Sequence, residues 1–323
     1  MAFSGGSVTA KVALAGEEAL ARLRHPPFSC PASFTRSFYL ENARGKLVCA
    51  GGAALEAGPL NLLCAPWPCE SALPAPGGTI RREGSRLVWP GGALDLADAA
   101  VWQPPEAAGA EARAGAEGGT GDPLPKNEFL ARIDAFGPAT ECAPLFSHLL
   151  GGVPLPENAS PFLRAGRDAA AALHAWLHAR PSGTVPGGPP PVRGLLGLGP
   201  GLTPSGDDIL GGMMMALYRS ARRPSQRPPC APPCAYDRRD AAAALYAAVL
   251  ELPGHTNAIS MAHLEMAAQG LGADALHRFI ASLYERRLDI RVLARLGRIG
   301  HSSGWDMALG AALAVYPPFP ALS

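Results

Sequence analysis

The sequence predicts an α+β chain: a small β-rich domain, barrel or sandwich-like, over residues 1–103, then a larger all-α domain over residues 126–323. Three observations lead there. The first hundred residues carry short runs rich in β-branched and aromatic side chains, punctuated by Gly, Pro and Asn. From Lys126 onward the apolar residues recur at helical spacing. Between them, residues 104–125 are mostly Ala, Gly, Glu and Pro, a composition that cannot build a core and reads as a flexible linker or loop.

Taken in order, Val8 to Leu23 opens the chain, with Ala19 to Leu23 a candidate short helix. The strand candidates are Ser33 to Leu40, Lys46 to Ala50, Leu60 to Leu63, Arg86 to Trp89 and Ala99 to Trp102. Helical periodicity then marks Phe129 to Phe136, Pro144 to Leu150, Arg164 to His178, Ser205 to Arg222, Asp237 to Leu252, Ile259 to Gly270, Ala273 to Arg286 and Ile290 to Ile299. Several of these begin after Ser, Asp or Pro and end before Gly or Pro, as capped helices do. Proline-rich stretches at Pro186 to Pro191 and Pro224 to Pro233 read as exposed connections. Met213-Met214-Met215 reads as adaptable core. His174 and His178 share a helical face, but without a third ligand they read as surface or packing residues.

A chain of 323 residues with 48% hydrophobic content can bury a substantial core without disulfides. Its 28 basic and 27 acidic residues leave a net charge of +1 and no long basic run, which speaks against nucleic acid and anionic membrane as partners. Glu17 and Glu18 argue against a signal peptide, and no later segment is long and apolar enough to span a bilayer, so a cytoplasmic location is expected. The seven cysteines are odd in number and irregular in spacing, as reduced thiols are. The pairs Cys230/Cys234 and Cys64/Cys69 lack the second half of a zinc site and read as exposed loop thiols.

The chemistry concentrates in Gly197-Leu198-Gly199-Pro200-Gly201-Leu202-Thr203-Pro204-Ser205-Gly206-Asp207-Asp208, a glycine-rich loop feeding an apolar helix. Glycines allow sharp turns and close approach to a ligand, Thr203 and Ser205 are N-cap candidates, and a helix start favours an anion. A Walker phosphate loop is excluded, because Asp207 stands where Lys would be needed. Near the C-terminus, Gly300-His301-Ser302-Ser303-Gly304-Trp305-Asp306 repeats the design. Ser205, Gly206, Asp208 and Gly212 match Ser303, Gly304, Asp306 and Gly310 in a shared Ser-Gly-x-Asp-x-x-x-Gly pattern. Glycine inside a helix costs about 1 kcal/mol, so each marks a close crossing or a ligand. If the helices cross there, both starts face one pocket, and Ser205 and Ser303 are expected within about 15 Å of each other. Two well-capped core helices with packing glycines are the alternative. A third segment, His255-Thr256-Asn257, stands before another helix; His255 is a candidate proton carrier, Thr256 a candidate cap and Asn257 a candidate ligand contact.

Gly199 to Asp208, His255 to Ser260 and Gly300 to Asp306 together resemble the AllH-type subunit of oxamate carbamoyltransferase, with a fainter likeness at Ser33 to Leu40 and Gly58 to Leu63. The resemblance implies conversion of oxalurate and phosphate to oxamate and carbamoyl phosphate in allantoin and purine nitrogen use, in a complex with other subunits. On that reading Asp208, Asp306 and His255 are the candidate catalytic residues. Gly201, Thr203, Ser205, Gly206, Asp207, Asn257, Ser302, Ser303 and Gly304 are candidates for binding a small anionic ureido substrate and phosphate. Asp208 and Asp306 could hold the ureido N–H groups or a magnesium ion. Two other readings stay open: a non-catalytic ligand-binding or scaffolding subunit, and a carbamoyltransferase acting on a related ureido acid.

Overall fold

The computed structural model describes residues 8–105, 122–138, 140–179, 188–220 and 238–319. The chain divides into two compact units, Met1–Pro104 and Pro105–Ser323. Most of the predicted linker, and the connection Pro224 to Pro233 with Cys230 and Cys234, lie outside the described residues. The last residues of that predicted linker are not linker in character: Leu124 is buried, donates its N–H to the Leu283 carbonyl and accepts the Tyr316 hydroxyl, within the helical unit.

The first unit is a closed β-barrel. Its strands are β1 (Val8–Gly16), β2 (Phe28–Phe34), β3 (Ser37–Asn42), β4 (Leu47–Gly52), β5 (Asn61–Ala65), β6 (Thr79–Glu83), β7 (Arg86–Trp89), β8 (Gly92–Asp95) and β9 (Ala100–Trp102). The order β1-β5-β4-β3-β2-β6-β7-β8 returns to β1 and removes the open edges, while β9 pairs the far end of β1. Closure depends on β1. Its residues Val8 to Lys11 run parallel to β8, and Lys11 to Ala15 run antiparallel to β5 across an irregularity between Val12 and Leu14. Alternation along β3 sends Phe38 and Leu40 inward, and Phe38 lies 5.9 Å from the ring of Trp67 and 5.3 Å from that of Trp89.

Three expectations change here. The run Ser33 to Leu40 is not one strand but the hairpin between β2 and β3, with the chain turning at Thr35 and Arg36. The segment opening the chain is mostly strand, followed by the helix α1 (Glu17–Arg22), one or two residues before the span expected for it. Cys64 is buried rather than an exposed loop thiol, while Cys69 is exposed.

The second unit is helical: α2 (Lys126–Phe136), α3 (Pro144–Gly151), α4 (Pro161–His178), α5 (Ser205–Ser220), α6 (Arg238–Leu250), α7 (Ala258–Ala268), α8 (Asp274–Glu285), α9 (Ile290–Leu296) and α10 (Ser303–Val315) among the described residues. α5 and α10 are buried on nearly every face, with the Met213 to Met215 run fully inside. The other helices pack round this pair. His174 and His178 on α4 direct their Nε2 atoms at the carbonyls of Tyr316 and Leu313, at 2.8 and 2.9 Å. Burial draws the His174 pKa down to about 4, so the ring is neutral and its N–H serves a carbonyl at the end of α10. They are packing residues.

α5 and α10 cross where their glycines lie. A Cβ on Gly212 would strike the Met307 carbonyl, and one on Gly310 would strike the Ile209 carbonyl, so each glycine admits the backbone of the other helix. Alanine normally gains about 1 kcal/mol over glycine inside a helix. Here Gly212→Ala and Gly310→Ala are each expected to destabilise the full chain by about 1–3 kcal/mol, because the obstacle is backbone and cannot turn aside. The check is the denaturant midpoint of the helical unit; a midpoint unchanged or raised in either variant contradicts the crossing.

Candidate functional site

The crossing brings the two helix starts together. Thr203 Oγ1 lies 2.9 Å from Ser303 Oγ, a hydrogen bond between the two motifs across a hundred residues of sequence. Both starts are built alike. The Gly206 N–H donates to the Leu198 carbonyl and the Gly304 N–H to the Ile299 carbonyl, at 2.9 and 3.2 Å. A Cβ on Gly206 would strike the Leu195 carbonyl, and one on Gly304 the Leu296 carbonyl. The carbonyl of Pro204 receives the N–H groups of Asp207 and Asp208; that of Ser302 receives those of Trp305 and Asp306. The repeat therefore reaches back to Leu195 and Leu296. Neither Thr203 nor Ser205 occupies the capping position, which falls to Pro204 in the first copy.

The motifs also exchange their polar side chains. Asp208 is 8% exposed and Asp306 fully buried. Burial drives the Asp208 carboxyl well above the usual carboxylate range, the charges of Asp306 and Asp207 add to this, and the hydroxyls of Ser303 and Thr203 oppose it. Burial likewise raises the Asp306 carboxyl, against hydrogen bonding from Ser205, Ser302, Thr140 and the Cys142 thiol. Ser303 of the second motif thus holds down the pKa of the first motif's aspartate, and Ser205 of the first that of the second's, each against the larger effect of burial. Thr140 donates to Asp306 Oδ1 at 3.1 Å. Among the described residues, Oδ2 of each aspartate is buried without a hydrogen-bond partner.

Thr140 and Cys142 were not legible as site residues. They precede α3 in a segment with no motif, and nothing marks a threonine two places before a cysteine as chemically special. Burial pushes the Cys142 thiol pKa up, so it meets Asp306 as a neutral group.

The remaining candidates shape the loop. Asp207 Oδ1 accepts the Gly197 N–H at 2.7 Å, and its Oδ2 accepts the Thr256 hydroxyl, so both oxygens pin the glycine loop to the His255 segment. Gly197, Gly199 and Gly201 all take positive φ along that loop. The cap of α7 is Asn257, not Thr256: its Oδ1 accepts from the N–H groups of Ile259 and Ser260, and its Nδ2 donates to the Leu202 carbonyl at 2.9 Å. His255 is exposed beside the loop, with its carbonyl packed against Gly197. Gly201 is exposed, whereas Thr203, Ser302 and Ser303 are half-buried. No group of three His, Cys, Asp or Glu side chains able to hold a metal ion occurs among the described residues.

Residues 195–315 match a family model described as oxamate carbamoyltransferase subunit AllH. Over this stretch the chain is similar to the AllH family. The AllH match begins at Leu195, whose carbonyl packs on Gly206, and ends with Val315 at the close of α10, so it encloses both copies of the motif. The family name denotes one subunit of a carbamoyltransferase, which implies other subunits in a complex. No solved structure matches the chain. No helix among the described residues is long and apolar enough to cross a membrane.

The raised Asp208 carboxyl has a consequence for stability. Unfolded aspartate releases its proton near pH 3.9, whereas folded Asp208 retains it to higher pH. Its contribution to stability is thus complete below about pH 3.9 and is lost as pH rises through the folded value. Asp208→Asn is expected to gain thermal stability relative to the parent as pH rises from about 4 towards neutrality. Melting curves across that range check it, and a difference that stays constant with pH contradicts it.

Proposed function

We propose that the helical unit supplies the anion-binding and carbamoyl-transfer site for phosphorolysis of oxalurate to oxamate and carbamoyl phosphate, in a complex with other subunits. The observation that carries this reading is the meeting of two matched helix starts, within a stretch that matches the model of a carbamoyltransferase subunit family. Oxalurate carries a carboxylate, phosphate carries more negative charge, and attack on the ureido carbonyl develops a third. Helix starts and hydroxyls fixed before the substrate arrives stabilise such charge without reorganising. Holding both reactants at one crossing also removes much of the entropic cost of their encounter.

In this reading Thr203, Ser302 and Ser303 offer hydroxyls at the half-buried surface of the site, and the turn at Gly201 lets backbone approach the ligand. Asp208 and Asp306 lie beneath as the catalytic carboxyl groups. Asp207 and Asn257 act one step removed, by holding the loop in shape, and His255 stands at its edge as a candidate proton carrier. A cytoplasmic setting and a place in allantoin nitrogen use accompany this proposal. The second reading, a scaffolding subunit, rests on the burial of both carboxyl groups, since a core can retain them without chemistry.

The discriminating experiment measures carbamoyl phosphate formed from oxalurate by the chain reconstituted with its partner subunits. Asp208→Asn and Asp306→Asn are each expected to lower turnover by about 100-fold or more, as loss of a proton-transferring group does. Asp207→Asn is expected to cost far less once its lost stability, about 1–2 kcal/mol for a weakened charged hydrogen bond, is taken into account. Full activity in both of the first two variants, with unfolding curves confirming that they fold, assigns the chain to the scaffolding role. Activity on another ureido acid but not on oxalurate corrects the substrate and keeps the site.

A further inference from the structure

Three stretches of the helical unit meet around the two helix starts, each tied to another by hydrogen bonds. The Thr203 and Ser303 hydroxyls join residues 194–206 to residues 299–305. Residues 252–264 join the first stretch through the Leu202 carbonyl, which accepts from Asn257 Nδ2 at 2.9 Å and from Ser260 Oγ at 3.4 Å. In a chain of which 17% is charged, none of the three contains an Asp, Glu, Lys or Arg.

Burial does not account for this. Pro200, Leu202, Pro253, Ala258 and His301 are exposed, Leu202 by 43%. A Cβ placed on Gly201 or Gly254 would meet nothing within 4 Å, so the loops stand open there. Exposed loops ordinarily carry charge, and its depletion marks a surface whose centre gives up water to a partner. Both bonds to the Leu202 carbonyl hold the loop from behind. Its leucine is thus presented on backbone already ordered, which lowers the cost of docking.

The ligands of the site need what this face lacks. Phosphate and oxalurate are anions, and the three stretches offer them hydroxyls and backbone N–H groups but no permanent cation. The nearest arginines in sequence, Arg193 and Arg298, lie outside the stretches. A second copy of this chain would bring the same uncharged loops and leave the anions unmatched.

We infer that this uncharged face is the docking surface for a different subunit of the complex, and that this subunit brings an Arg or Lys against the helix starts to bind the anions. The cation rests on the carbamoyl-transfer reading; the docking face does not. Leu202 is the apolar anchor of the contact, and the loops around it exclude water.

Photo-crosslinking in the complex reconstituted from the full chain and its partner subunits, without substrate, tests the face. A benzophenone amino acid in place of Ala258 is expected to crosslink to another subunit. Leu202→Asp is expected to weaken assembly by about 10-fold or more, as loss of a buried leucine does. The unfolding midpoint of the variant chain alone is expected to match the parent, because an exposed side chain supports no core. Crosslinks that only return to this chain or join it to a second copy, or assembly as tight in Leu202→Asp as in the parent, overturn the docking face. The crosslinked segment of the partner is expected to contain an Arg or Lys whose replacement by Gln raises the KM for phosphate by about 10-fold or more. Basic residues there that can all be replaced without effect, or a KM raised only by Arg298→Gln, overturn the partner's cation. A complex that assembles through this face but forms no carbamoyl phosphate from oxalurate overturns the proposed function, and the cation with it, and keeps the docking face.

Discussion

The helical unit depends on one reciprocal contact: Gly212 against the Met307 carbonyl and Gly310 against the Ile209 carbonyl. Each glycine receives the residue that follows the aspartate in the other motif. Two helices that cross backbone to backbone must be buried, which is why α5 and α10 are apolar on nearly every face and form the centre of the unit. The crossing lies about one to two turns inside each helix, so it also fixes where the helix starts go. They meet, and Thr203 reaches Ser303. Lose that contact and the candidate site has no geometry, however well each loop is folded.

Electrostatics runs against stability at the same place. Burial makes the carboxyl groups of Asp208 and Asp306 costly to ionise, and a fold selected for stability alone would favour apolar side chains there. Stored cost of this kind concentrates where a protein does chemistry. Asp207 makes the contrast. It neighbours Asp208 in sequence, yet each of its oxygens has a donor, and its work is to tie Gly197 to Thr256. Two adjacent aspartates thus divide into a group that organises the loop and a group that keeps one buried oxygen without a hydrogen-bond partner.

Much of this was legible in the sequence, for reasons that differ by element. The switch from strand-like runs to helical periods set the α+β class, because burial on one face leaves its spacing in the chain. The crossing was legible because glycine inside an apolar helix is unfavourable without a close neighbour. Closure of the barrel was not, since β1 meets β5 through a pairing that no local pattern records. The hairpin inside Ser33 to Leu40 was hidden too, because Thr35 and Arg36 turn the chain without a Gly, Pro or Asn to mark it. Asn257 and Thr256 can both cap a helix by chemistry, and only the position of Asp207 decides which is drawn away. The upstream half of the repeat, Leu195 to Leu198 against Leu296 to Ile299, was obscured because the first loop is longer than the second. Thr140 and Cys142 reach Asp306 through tertiary packing and leave no trace in spacing.

The central claim is that the two motifs form one ligand site at the crossing of α5 and α10. The most direct measurement is a structure of the assembled complex with phosphate and oxamate bound. Both anions are expected between the helix starts, within hydrogen-bond reach of the Thr203 and Ser303 hydroxyls. Both ligands bound wholly within another subunit, with neither helix start touched, would contradict it.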